Sequence, residues 1–185
     1  MKGIPALMAA SLLLTASPAN AQLGSTTGAT TVDVTVAAEA ALTAVTAVTN
    51  LTSAGTNFSN YTGSTSMTYF IRTTAAGGSG SLTLEVTTDF NCAAGGPCVA
   101  IPPTSGDALS YTCTVANPGN NGTVTPCAGS QTASTTAQTS VATFSADARS
   151  LLAGNSAAVS WTLTNDPKYK TGIYSATVTF TISAA

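Results

Sequence analysis

The sequence predicts an all-β fold, an antiparallel sandwich of about seven to nine strands with disulfide-stapled loops. Three observations predict it. Apolar residues alternate with Thr, Ser and other polar residues along much of the chain, clusters of Gly, Pro and Asn separate these runs, and the four cysteines fall together at Cys92, Cys98, Cys113 and Cys127. A period of two sends one set of side chains to a core and the other to water. The abundant Thr and Val strengthen the reading, because a branched Cβ is stiff and packs well on a pleated surface.

The first 21 of the 185 residues read as a secretory signal rather than as part of the fold. Lys2 supplies a positive start, residues 6–16 form an apolar run through Leu12, Leu13 and Leu14, and Ala19 and Ala21 are the small residues that precede cleavage before Gln22. That run is shorter than the roughly 20 residues a spanning helix needs, and no later run is longer, so no membrane span is expected in the mature form. Residues 22–185 are then expected to form one domain.

Along the domain, Val32, Val34 and Val36 alternate first, followed by Met67, Tyr69 and Ile71, then Leu82, Leu84 and Val86. Leu109, Tyr111, Cys113 and Val115 continue the pattern, as do Val159, Trp161 and Leu163. Weaker runs occupy residues 45–51 and 140–144. The longest alternation is the last, through Tyr174, Ala176, Val178, Phe180 and Ile182. Turn residues punctuate these runs at 77–80, 102–103, 117–122, 154–155 and 165–167. Helix is expected only at the Ala-rich residues 37–44 and at residues 146–152. Residues 130–140, rich in Thr, Ser and Ala, are expected to be exposed.

An even number of cysteines behind a signal sequence points to two disulfides formed in an oxidising compartment. Pairing of sequence neighbours, Cys92 with Cys98 and Cys113 with Cys127, is favoured because the Gly-containing residues 93–97 make a turn that can close. The crossed and nested pairings stay open. Zinc is disfavoured, since neither spacing is the close knuckle of a zinc site and the chain has no histidine. No cofactor is expected.

Without histidine, the usual general base is missing, and no G-x-S-x-G elbow presents a serine nucleophile. Asp89 and Asp107 flank the cysteine region with Glu85 nearby, but no calcium-loop spacing accompanies them, and they read as solvated loop charges. Catalysis is therefore not expected. Trp161 is in phase with Val159 and Leu163 and reads as core, whereas Tyr61 and Tyr169 are the better candidates for exposed aromatics. Five basic against seven acidic residues give a net charge of −2 with no basic patch, which disfavours nucleic acid and anionic membranes as partners.

The ending carries a resemblance. Gly172 is followed by strict alternation through Tyr174, Val178, Phe180 and Ile182 almost to Ala185. This resembles the C-terminal strand of chaperone–usher pilins and the related spore-coat-U-like subunits. Two features differ from that pattern: Ala184 stands where those pilins usually carry an aromatic residue, and the cysteines here are central. The resemblance implies an immunoglobulin-like sandwich whose last strand borders an assembly groove, with copies of itself or related subunits, and a periplasmic chaperone, as partners. It also implies that residues 22–38 are either a donated segment, with Val32, Val34 and Val36 as its inserted side chains, or the first strand of a complete sandwich. The expected function is thus a structural subunit of an extracellular filament, pilus or coat. The alternative is a monomeric secreted binding module that recognises glycans through the loops of residues 89–140.

Overall fold

The computed structural model describes residues 28–185 apart from 45, 54, 56 and 100–107. The signal sequence and Asp107 lie outside the described residues. The chain divides into two units, residues 1–35 and 36–185. Of the first, residues 28–35 carry no secondary structure and are exposed.

Among the described residues the second unit holds ten strands: β1 (Glu39–Ala44), β2 (Thr52–Ser53), β3 (Tyr61–Arg72), β4 (Gly80–Thr88), β5 (Ser110–Val115), β6 (Val124–Pro126), β7 (Gln131–Thr132), β8 (Thr139–Phe144), β9 (Asn155–Leu163) and β10 (Thr177–Ala184). One sheet runs β1-β3-β9-β5-β7 with β2 paired to β3, and the other runs β10-β4-β8-β6. Every ladder is antiparallel. This is the expected all-β sandwich.

The alternating residues supply its core. Met67, Tyr69 and Ile71 of β3, Leu82, Leu84 and Val86 of β4, and Val159, Trp161 and Leu163 of β9 are all buried. Each such side chain contributes about 1.5–3 kcal/mol relative to exposure. Two tyrosines link the sheets. Tyr69 tilts against Phe144 of β8 with ring centres 5.0 Å apart and donates its hydroxyl to the Ala116 carbonyl. Tyr111 lies 5.6 Å from Trp161 and donates to the Ser140 carbonyl at 2.9 Å. Burial pushes the Tyr69 phenol up to about 12, because a phenolate there would be poorly solvated. Trp161, core as expected, donates its indole N–H to the buried Thr65 hydroxyl at 2.8 Å.

Several local expectations are corrected. Residues 39–44 form a strand instead of a helix, laid along β3 from Glu39 opposite Arg72 to Ala44 opposite Met67. Alanine's helix propensity is a weak prior, and a segment this short gains more from a ladder than from an isolated turn of helix. Residues 146–152 are not helical either. Asp147 takes a positive φ of 54°, and Arg149 pairs as a bridge with both Arg72 and Asn121. The alternation at Val32–Val36 belongs to no sheet, and residues 46–51 form no strand. Residues 130–140 are not simply exposed: β7 pairs with β5, Ala133 is buried, and the Ser134 carbonyl accepts from Val86 N–H at 2.8 Å. β2, β6 and β7 span two or three residues each, too short to show a period.

The disulfides join sequence neighbours, Cys92–Cys98 with Cα atoms 5.2 Å apart and Cys113–Cys127 at 5.6 Å. The second ties β5 to the residue after β6, and so staples one sheet to the other. No helix among the described residues is long and apolar enough to cross a membrane.

Thr65→Val should leave the Trp161 indole N–H without an acceptor inside the core. A loss of about 1–3 kcal/mol is expected from chemical denaturation, with Thr65→Ser, which keeps the hydroxyl, losing less.

Candidate functional site: an open groove beside the last strand

β10 is an edge strand whose core face is only half covered. It pairs with β4 from Thr177 opposite Thr88 to Ala184 opposite Gly80, and among the described residues its other edge has no ladder. On β4 and β9 the inward residues are closed off from water, with Leu82, Leu84 and Val159 at 0% exposure. On β10 the equivalent residues Val178, Phe180, Ile182 and Ala184 remain half-buried. Sequence alternation is the same in all three strands, so the difference lies in what stands opposite. β1 approaches β10 from the facing sheet but ends at Ala44, and residues 46–51 continue without forming a strand.

The result is a groove of about 990 Å³. Val48, Leu51, Trp161 and Leu163 line one side, and Phe90, Tyr174, Ala176, Val178 and Phe180 line the other. Its lining is mixed, with apolar side chains interleaved with polar ones such as Thr49, Asn50, Asn165 and Thr171. Asp166 and Lys170 stand among the lining residues, and Asp166 pairs with Lys168 at 3.1 Å while its carboxylate also accepts the Lys168 N–H at 2.9 Å. That pairing closes a turn at the expected residues 165–167, with Lys168 as its next residue.

The mouth is built from two loops. The left-handed Gly95, at φ 87°, closes the single 3₁₀ turn Cys92–Ala94, and the Gly95 carbonyl accepts from Lys170 N–H at 3.0 Å. Gly96 lies flat against the Tyr174 ring, so close that an added Cβ would fall 2.2 Å from the ring carbon Cε1. Tyr174 in turn donates to the Lys170 carbonyl at 2.9 Å. At the far end, β10 is fixed by the residue that follows it: Ala185 N–H donates to the Ser79 carbonyl at 2.8 Å, and its carbonyl accepts from the Thr74 and Ser79 N–H groups.

Of the residues singled out from the sequence, Gly172, Tyr174, Val178 and Phe180 line this groove. Ile182 lies further along β10, packed against the core. Val32, Val34 and Val36 are exposed, at 86%, 84% and 63%. Tyr61 and Tyr169 are half-buried groove residues rather than exposed aromatics, which corrects the earlier expectation. Asp89 organises its loop, accepting the N–H groups of Phe90 at 2.7 Å and Val99 at 2.8 Å. The opposite wall from Val48 to Leu51 falls in the weaker run at 45–51, which reads as a strand in the sequence but borders the groove as irregular chain.

Gly96→Ala should force Tyr174 off its seat and distort the groove mouth. The expected cost is about 1–3 kcal/mol in a denaturant titration, the range for overpacking a filled site.

No family model matches the chain, and no curated protein or solved structure matches it.

Proposed function

We propose that this chain is a secreted structural subunit of an extracellular filament, pilus or coat, and that it assembles by β-strand addition. The observation that carries this reading is the open edge of β10 with its half-covered apolar face, in a chain that also holds an alternating, unpaired segment with three exposed valines.

The two features match in chemistry and length. Val32 to Val36 spans five residues, as do residues 176–180, which border the groove at the start of β10. Added to the free edge, the segment of a second copy would pair its backbone with β10 while Val32, Val34 and Val36 entered the groove. Burying three valines contributes about 1.5–3 kcal/mol each before the cost of ordering the segment. The ladder bonds form in a sheltered setting, so the contact would release slowly. A periplasmic chaperone offering a similar strand would protect the same edge before assembly. The two disulfides are compatible with the oxidising compartment this requires. The binding-module alternative draws less support, because residues 131–134 are tied into the sandwich.

A denaturing, non-reducing gel of the intact protein tests the reading. Unheated samples should show a ladder of multimers that boiling collapses to monomer. Val34→Asp should abolish the ladder yet change monomer stability by no more than about 0.5 kcal/mol, as for other exposed positions. A wild-type monomer in both lanes, or a ladder that survives Val34→Asp, would contradict it.

A further inference from the structure

Beyond the valine segment, the exposed large apolar side chains among the described residues are Val48, Phe58, Leu151, Leu152 and Ile173. Val48 is on the groove wall, and the other four collect at opposite ends of the strands. Leu151 and Leu152 sit in the turn before β9, beside Glu39 and Arg72, where β1 begins and β3 ends. Phe58 precedes β3 and Ile173 precedes β10, so both stand at the other end, and both line the groove. The 12 residues of β3 separate the two ends by on the order of 35 Å. Leu152 and Ile173 are each 98% exposed.

The chain's own geometry brings these ends together. Arg72 donates its Nε to the Ala37 carbonyl at 2.7 Å and its Nη2 to Glu39 at 2.8 Å, pinning the chain to the Leu151–Leu152 end of the domain. Val36 therefore adjoins a fixed residue, and neighbouring Cα atoms are only about 3.8 Å apart. No slack separates an inserted Val36 from the domain that supplies it. β10 runs from the groove mouth at Thr177 toward the hairpin at Gly80. A strand added in the antiparallel sense, the sense of every ladder in this fold, runs the other way and leaves with Val36 at the mouth.

Resting on the strand-addition reading, we infer that the Leu151–Leu152 turn of the donating copy docks on Phe58 and Ile173 of the accepting copy. This is a second, side-chain interface beside the inserted strand. It covers four apolar side chains, fixes how successive subunits are oriented, and is heterologous, so it can repeat from each copy to the next.

The test replaces Leu152 with the photoreactive residue benzoylphenylalanine in the full chain, lets multimers form, irradiates them and maps the adduct by mass spectrometry. Adducts on Phe58 or on the peptide holding Ile173 of a second copy are expected, and an Ile173→Asp partner should lose the latter. A heat-sensitive ladder with adducts elsewhere, or none, overturns this contact and leaves strand addition standing. Absence of any ladder from the unsubstituted chain overturns both. Should the probe itself block assembly, Leu152→Asp provides the second variant: its multimers should be shorter and should lengthen again on addition of Ile173→Lys, and unchanged length in both overturns the contact.

Discussion

A β-strand at the edge of a sheet carries a row of N–H and C=O groups with no partner in its own sheet, and β10 carries that row beside an apolar face which the opposite sheet only half covers. These two deficits occupy the same strand, and much else about the molecule follows from them. Edge strands are usually blunted by charge, proline or a covering segment. Residues 177–184 contain no charge and no proline. They offer hydroxyls on one side and Val178, Phe180 and Ile182 on the other. An edge left in this state is a template, and the question it poses is which strand completes it.

The rest of the sandwich is firm enough to hold such an opening. Trp161 forms part of the groove wall yet is locked from behind by its bond to Thr65 and its contact with Tyr111. Tyr111 reaches across to β8, and Cys113–Cys127 ties the same region covalently. β10 itself is tethered at one end by Ala185 against Ser79 and at the other by Tyr174 against Gly96 and Lys170. The groove is thus a gap between fixed walls.

Much of this was legible in the sequence, for a simple reason. Met67, Leu84, Val159 and Phe180 alternate with polar neighbours over long runs, and a period of two has one physical meaning on a strand. Short-range closure was legible too, since the loop between Cys92 and Cys98 is small and rich in Gly. What escaped was decided by partners distant in the chain. Residues 39–44 look helical until β3 is available to pair with them, and Ala133 looks like solvent-facing low complexity until Leu109 accepts its N–H at 2.9 Å. Val178 and Phe180 have the same local pattern as Leu82 and Leu84, yet they stay half covered where, among the described residues, no strand continues β1 beyond Ala44. The last strand was read correctly, whereas the opposite wall at residues 46–51 was read as a weak strand and forms none.

Amide hydrogen exchange of the monomer, with and without a synthetic peptide of residues 28–38, tests the central claim most directly. The account predicts that alternate amides of β10, those facing the free edge, exchange fast in the monomer, and that the peptide slows them together with the groove residues around Val178. Uniformly slow exchange along β10 without peptide, or no protection when it is added, would contradict an open edge waiting for a strand.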